Sequence, residues 1–480
     1  MAEVTIGSSL RWLLTGRAVQ IAVQFIGIAT LARLIAPAEF GLLALASVVT
    51  AFLQLFTDMG TASALIQRRD LENRHINAVF WFNVAIGFLL AGLLAATSPA
   101  LAEWLGNERA APVLLALSAS FPLTTLVAAH AALLERESKF RELTLYTTIS
   151  SVFGLAVAIS LAVKGAGVFA LVFQSLATAS AQAIMLWRAS RWRPGRPSMN
   201  GLRELIPFSG NLFLFNIVNY IHRNSDTIII GRIFSQQDLG LYNIAYRILL
   251  FPLQNFTFAV NRALLPAYSR NQDEVTTLAA HYVSTLRGIA LITAPLMAAI
   301  WATREPLIEL LLGSAWARSS DVIQWLAPVG FLQSVVSTSG SVLLSRGKSS
   351  TLRTLGLVGA PFLTASFIVG IPWGIEGIAA SYCLANVIWL FPVLATVMKS
   401  LDGRLGSALA AIVPPAAISI AAFACASWFA TPTQSSAVSH LLSIIALGSI
   451  FFLAGTRIFL WKSVKSFLHV LPSVRLKKKR

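Results

Sequence analysis

Apolar runs of about 20 residues recur along the whole of this 480-residue chain, and a run of that length lets a helix cross a bilayer. Because no water satisfies the backbone inside a bilayer, each such run must form a helix. Only 12% of the residues are charged, against about 25% in soluble proteins, and the mean hydropathy is +0.72. We therefore predict an all-α polytopic membrane protein, and exclude soluble and disordered chains.

Proline, glycine and charge clusters divide the apolar sequence into about fourteen predicted transmembrane helices of the usual length. No connection between them is long enough to fold as a domain. The predicted spans are 12–36, 41–66, 76–99, 110–134, 143–163, 168–187, 206–233, 241–261, 283–302, 321–345, 351–371, 376–398, 407–430 and 438–461.

The net charge of +17 is distributed unevenly along these spans. With both termini inside, 27 of the 37 Lys and Arg fall on the cytoplasmic side, six on the outer side and four within spans. Cytoplasmic loops of membrane proteins collect basic residues, so the bias predicts cytoplasmic termini and accounts for the charge without nucleic acid. We interpret the run Lys477–Arg480 as an anchor to anionic membrane lipids.

Two blocks of the sequence repeat. Residues 31–46 (LARLIAPAEFGLLALA) align without gaps with residues 230–245 (IGRIFSQQDLGLYNIA), so that Glu39 matches Asp238 and Gly41 matches Gly240. The spacing predicts a parallel repeat of six helices, with the substrate between two lobes. The predicted parts are an N-terminal lobe at 1–187, a basic cytoplasmic linker at 188–205, a C-terminal lobe at 206–398, and helices 13 and 14 with a basic tail at 399–480.

Several predicted spans carry polar side chains, and each charge at membrane depth costs roughly 2.5–3.5 kcal/mol on insertion scales. The first and seventh predicted spans, which are equivalent in the repeat, both carry arginine among their polar residues. Because Arg pairs bidentately with phosphate, two such helices could line a cavity for an anionic ligand. Asp226 and Asp58 are the candidates for ion coupling. The predicted substrate-binding residues are Arg17, Gln20, Gln24, Asn219, Arg223, Asn243, Arg247 and Gln254.

Structural interpretations of the same charges stay open. Arg17 is about one turn from Trp12, so its side chain could extend to the cytoplasmic headgroups instead. Arg223 and Asp226 are three residues apart on one helix and could neutralise each other. Arg247 could make an inter-helix packing contact.

Signals for catalysis and for metal binding are weak. His130 and His222 have no ligand partners at metal-site spacing, so we expect hydrogen-bonded helix residues. Gly347–Ser349 resembles the end of a phosphate-binding loop, but Val342 stands where that loop needs glycine. We therefore predict no enzyme, no catalytic residue, no metal and no cofactor. An ion gradient is the expected drive.

The repeated blocks, DTIIIGRIFSQQDLGLYNIAYRI in particular, resemble the Wzx-type oligosaccharide flippases of the multidrug/oligosaccharidyl-lipid/polysaccharide exporter superfamily. Within that family the chain resembles the branch of the WzxC-type and succinoglycan exporters. The resemblance implies a bacterial inner-membrane protein that moves an undecaprenyl-diphosphate-linked oligosaccharide by alternating access, for exopolysaccharide or lipopolysaccharide synthesis. It also implies coupling to H⁺ or Na⁺, and a polysaccharide polymerase or export complex as partner.

Three other functions remain open at this point. A multidrug or cation antiporter of the same superfamily would need buried acidic residues, whereas the predicted spans hold more Arg than acid. A membrane oligosaccharide polymerase typically has a large outer loop, and no such loop is predicted here. A scaffold of a polysaccharide assembly complex, without transport of its own, is the third.

The charge bias makes a topological prediction. Reporter fusions after Arg196 and after Lys477 should report a cytoplasmic location, and a fusion near Glu108 an outer one, because basic loops are retained inside. Alkaline phosphatase and green fluorescent protein fusions provide the measurement. An outer signal after Arg196 would exclude the two-lobe repeat.

Overall fold

The computed structural model describes residues 6–58, 61, 65–66, 70–197, 210–252, 268, 275–430 and 437–460. Throughout these residues the chain is helical, with short turns and no strand. The predicted all-α class is confirmed. The helices of the first half are α1 (Ile6–Leu34), α2 (Pro37–Asp58), α3 (Asn73–Trp104), α4 (Ala110–Ser118), α5 (Ser120–Arg136), α6 (Phe140–Val163), α7 (Val168–Ala189) and α8 (Gly210–Ile233).

The second half continues in the same style, with short 3₁₀ turns at Ser314–Trp316 and Ile371–Trp373. Its helices are α9 (Gln236–Pro252), α10 (Val275–Leu311), α11 (Ser319–Val336), α12 (Ser339–Ser345), α13 (Ser349–Gly370), α14 (Gly374–Ser400), α15 (Leu405–Phe429) and α16 (Ala437–Phe459).

Ten helical segments among the described residues are long and apolar enough to cross a membrane, so the chain is a multi-pass membrane protein. One of them, Ser349–Ser400, is 52 residues long and contains both α13 and α14. The polar helix α8 and the 17-residue α9 are not among the ten. The predicted number of fourteen spans therefore stays a prediction.

The chain divides into two compact units, Met1–Gly240 and Leu241–Arg480. The division falls inside α9, after the predicted linker at 188–205. Helix α8, which the repeat assigns to the C-terminal lobe, packs against α2 in the first unit. The lobe boundaries derived from the repeat stay a prediction.

Helix α2 is the centre of the first unit. It packs against α3, α4, α5, α7 and α8, and Leu42, Leu45 and Ala46 are at most 1% exposed. Its sequence is mostly apolar, and its polar side chains Glu39 and Gln54 are bonded to neighbouring residues, so it suits such an interior position. In the second unit, α10 has the corresponding role, with α11, α15 and α16 packed around it.

The first turns of α2 and α9 cross with their backbones in contact, inside the first unit. A methyl group at Gly41 would overlap the carbonyl oxygen of Gln236, and one at Gly240 would overlap the carbonyl oxygen of Pro37. Small residues permit such close approach of membrane helices. Both pairs are equivalent in the repeat, at an offset of 199 residues, so the crossing is formed by matching positions of the two blocks.

This crossing predicts a position-specific effect of one methyl group. Gly41→Ala should destabilise the protein by about 1–3 kcal/mol, the usual cost of overpacking, because the carbonyl of Gln236 belongs to a helix backbone that cannot rotate away. Gly92→Ala in α3 is the matched control, since a methyl group there meets nothing within 4 Å. Unfolding of the purified proteins in detergent measures the difference. Equal stability of the two variants would show that the helices do not cross this closely.

Candidate functional site

Helix α8 carries two charged residues of the predicted site, Arg223 and Asp226. The Arg223 side chain is exposed, while Asp226, three residues further on, is only 2% exposed. The Asp226 carboxylate accepts a 2.7 Å hydrogen bond from the backbone N–H of Thr227. Among the described residues no ion pair joins Arg223 to an acidic group. The guanidinium of Arg223 is therefore presented outward, and the carboxylate of Asp226 lies inside the protein.

Neighbouring contacts fix the position of α8. The Tyr220 hydroxyl donates a 2.6 Å hydrogen bond to the carbonyl oxygen of Val48 on α2, and the Tyr220 ring lies 5.9 Å from the ring of Phe52. The Asn224 amide donates to the backbone carbonyl oxygen of Tyr220. Arg223 is thus presented by a helix that is bonded to the central helix of its unit.

The two glutamines of the polar face predicted on α1 have different environments. The Gln20 amide donates a 3.1 Å hydrogen bond to the Thr147 hydroxyl of α6. Gly16 and Gly27 lie against Thr144 and Leu155 of the same helix. Gln20 therefore belongs to the α1–α6 packing, whereas Gln24 is exposed.

In the second unit, α9 presents Asn243 and Arg247 one turn apart. The Nε of Arg247 donates a 3.1 Å hydrogen bond to the Asn243 side-chain oxygen, and the arginine is exposed. Both residues act as one polar group on the helix surface. The side chains of Arg17, Asn219 and Asp58, and the whole of Gln254, lie outside the described residues.

The structure places Glu39 at a junction that the sequence did not single out as a site. One carboxylate oxygen accepts a 2.6 Å hydrogen bond from Arg109, and the other accepts a 3.0 Å hydrogen bond from the backbone N–H of Val168 at the start of α7. The equivalent Asp238 accepts a 2.6 Å hydrogen bond from Ser235 within its own helix cap. In the sequence, the recurrence of an acidic residue at these two positions indicated that both have a role. It did not show that Glu39 bonds to other helices while Asp238 caps its own helix.

An aromatic cluster surrounds His130, and the predicted hydrogen bonds of this histidine are not found. Both ring nitrogens are buried without a partner among the described residues. The ring lies 4.7 Å from Trp187 and 5.2 Å from Trp192, between ring centroids. Gly195 is held nearby by Asn77 and Trp81. The first residues of the predicted linker are thereby fixed to the first unit.

No group of three or more His, Cys, Asp or Glu in the part of the chain that the structure describes could hold a metal ion. The predicted site residues whose side chains the structure describes are Arg, Asn and Gln residues and the buried Asp226. Such a set can bind an anionic or hydrogen-bonding ligand.

Comparison with solved structures identifies the fold. The chain is similar to the lipid II flippase MurJ in an inward closed conformation, with a TM-score of 0.73, 14% identity, and coverage of 94% of this chain and 100% of that chain. It is also similar to an inward-facing multidrug resistance MATE family transporter of the MOP superfamily, with a TM-score of 0.65, 14% identity, and coverage of 79% and 94%. The fold is shared by flippases and drug transporters.

Three curated proteins are similar in sequence. WzxC of Escherichia coli, a lipopolysaccharide biosynthesis protein, is 24% identical over 81% of this chain and 80% of its own length. The succinoglycan biosynthesis transport protein ExoT of Rhizobium meliloti is 28% identical over 80% and 78%. The teichuronic acid biosynthesis protein TuaB of Bacillus subtilis is 27% identical over 62% of this chain, and the match spans 63% of TuaB. The predicted resemblance to this branch is confirmed.

A family model described as "Polysaccharide biosynthesis protein" matches residues 30–321, more than half of the chain. Both repeated blocks lie within the matched region, together with Arg223, Asp226 and Arg247. The chain is therefore a multi-pass membrane protein that belongs to the polysaccharide biosynthesis protein family and has the fold of the MOP superfamily.

Proposed function

We propose that this protein is a flippase that moves a lipid-linked oligosaccharide, carried on undecaprenyl diphosphate, across the bacterial inner membrane for exopolysaccharide or lipopolysaccharide synthesis. In this proposal fourteen helices span the membrane, in two six-helix lobes plus a C-terminal pair, and both termini are cytoplasmic. Membership of the polysaccharide biosynthesis family supports the pathway. The similarity to ExoT, a succinoglycan biosynthesis transport protein, supports the activity.

The observation that carries the proposal is the exposed Arg223 on α8. It lies ten residues before Ile233, about 15 Å along the helix, which is about half of the ~30 Å hydrocarbon thickness. An arginine at that depth must face water or an anion. Since no described acid pairs with it, a diphosphate is the ligand that best fits its two-pronged geometry.

Arg247 on α9 has matching properties in the second unit. It lies eleven residues after Gln236, about 17 Å along its helix, and is exposed with its Nε bonded to Asn243. Its remaining N–H groups can donate to a phosphate or to sugar hydroxyls. We propose that Arg223 and Arg247 each contact the anionic part of the cargo during its passage.

A multidrug or cation antiporter is the main alternative, because a MATE transporter shares the fold. A cation carrier needs exposed acids in its spans and few exposed arginines. In this chain Arg223 and Arg247 are exposed, whereas the carboxylate of Asp226 is buried. This distribution of charge favours an anionic cargo.

Replacement of Arg223 tests the proposed role. Arg223→Ala should abolish export of polysaccharide at a normal level of protein in the membrane, because the diphosphate would lose its counter-charge. Arg223→Lys should restore only part of the export, since an ammonium is a point charge without the guanidinium fork. Cell-surface polysaccharide, normalised to membrane protein, is the measurement.

The control for this experiment is Arg353→Ala, which removes an exposed arginine at the start of α13 and should leave export unchanged. Full export by Arg223→Ala would refute the binding role. A loss of the variant protein from the membrane, with Arg223→Lys also absent, would assign Arg223 to stability instead.

The proposed drive is an H⁺ or Na⁺ gradient, with Asp226 as the first candidate for coupling and Asp58 as the second. Asp226 is a buried carboxylate three residues from Arg223, so binding of an anion at Arg223 changes the electrostatic environment of the acid. Asp226→Asn should make transport into proteoliposomes insensitive to an imposed pH or Na⁺ gradient. Asp402→Asn, in the exposed loop after α14, is the matched control. Equal responses of wild type and Asp226→Asn would exclude Asp226 as the coupling site.

A further inference from the structure

A cavity of about 290 Å³ lies within the second unit, among the spanning helices α10, α11 and α15. Its lining is apolar throughout. The residues that line it include Ala294, Ala298 and Trp301 of α10, Pro328 of α11 and Ala416 of α15. A cavity of this size and chemistry accommodates part of a hydrocarbon chain.

Prolines explain why the helices leave this space. Pro295 in α10, Pro328 in α11 and Pro415 in α15 each lie inside a helix. Pro328 lines the cavity, and the other two are next in sequence to the lining residues Ala294 and Ala416. Proline removes a backbone hydrogen bond and bends the helix. The small side chains of Ala294, Ala298 and Ala416 leave the space open.

An arginine lies one turn after the last lining residue of α10, Trp301. Residues 294, 298 and 301 follow helical spacing, and Arg304 is the next position on that face. Helical side chains point back toward the N-terminus of their helix, so Arg304 folds toward the cavity. Its guanidinium lies 5.4 Å from the ring centroid of Trp301 and donates a 2.9 Å hydrogen bond to the Trp301 carbonyl oxygen.

The Nε–H group of Arg304 has no hydrogen-bond acceptor among the described residues. The Arg304 side chain is only 20% exposed, and its Nε is buried without a partner among the described residues. A second terminal N–H₂ is 3.2 Å from the exposed carboxylate of Glu305. A buried donor without an acceptor is costly, so an acceptor brought by a ligand would be bound at this position.

We propose that this cavity and Arg304 together form a binding site for a diacyl phospholipid of the surrounding bilayer. One acyl chain lies in the cavity, and the phosphodiester accepts a hydrogen bond from the Nε of Arg304. The charge of the guanidinium selects a phosphate-bearing headgroup. In the fold the lipid joins α15, which lies outside the predicted repeat, to α10 and α11. The site does not depend on the proposed transport function.

Native mass spectrometry of the full-length protein, released from nanodiscs, tests the site. Two probes are used, phosphatidylglycerol and the phosphate-free diacylglycerol with the same chains. Wild type should retain phosphatidylglycerol in preference to diacylglycerol. Arg304→Gln should lower the retention of phosphatidylglycerol about tenfold, which corresponds to loss of one charged hydrogen bond, and should leave diacylglycerol unchanged. Ala416→Phe should fill the cavity and lower the retention of both lipids.

Two control variants separate the site from general effects on lipid binding. Arg353→Gln removes an exposed arginine, and Ala421→Phe adds the same bulk to an exposed position of α15; both should bind both lipids as wild type does. Unchanged phosphatidylglycerol on Arg304→Gln would refute the phosphate contact, and unchanged binding of both lipids by Ala416→Phe would refute the cavity as the chain site. Displacement of phosphatidylglycerol by equimolar undecaprenyl phosphate would overturn the assignment to a bilayer lipid.

Discussion

The structure depends on one constraint: a polar group inside a bilayer must find its partner within the protein or face water. Many Ser and Thr hydroxyls obey it by donating to a carbonyl oxygen of their own helix, and other polar side chains obey it by pairing between helices. Gln20 bonds Thr147, Gln54 bonds Thr124, and the Tyr220 hydroxyl bonds the Val48 carbonyl. Each of these bonds fixes one helix against another. Arg223 differs because no described acid pairs with it, and that exception is the basis for assigning it to a ligand and not to packing.

The two repeated blocks allow the starts of α2 and α9 to be compared. The glycines of the two blocks have the same role, whereas the acidic residues do not. Gly41 and Gly240 have the same role, since each accepts the backbone of the other helix at a distance that excludes a methyl group. Glu39 and Asp238 do not. Glu39 reaches the guanidinium of Arg109 and the N-terminus of α7, whereas the shorter Asp238 bonds the hydroxyl of Ser235 in its own cap. Equivalent acids have diverged because they have different neighbours and side-chain lengths.

The sequence was sufficient for the helices and their class, because an apolar run of spanning length has one allowed backbone structure. It was less informative about ends: α10 runs over Val275–Leu311, well beyond the predicted 283–302, since a helix can continue past the hydrocarbon. The sequence also distinguishes polar from apolar side chains, but it does not show which residues a side chain contacts. Gln20 and Gln24 share a predicted face, yet only Gln20 meets a hydroxyl on α6. His130 was expected to be hydrogen-bonded, and instead the aromatic rings of Trp187 and Trp192 surround it. Such contacts depend on residues more than 50 positions away.

The same reasoning explains why the fold alone does not decide the cargo. A flippase and a drug transporter share this arrangement of helices, so the backbone provides only the frame. Selection between an anion and a cation then depends on which ionised side chains remain exposed at membrane depth. In this chain Asp226 is withdrawn into the protein and hydrogen-bonded to Thr227, while Arg223 and Arg247 are exposed. Because Arg stays charged at every physiological pH, the attraction for an anion is permanent. Under the proposed function, release of the diphosphate therefore has to come from a change in the conformation of the protein or from binding of the proposed coupling ion.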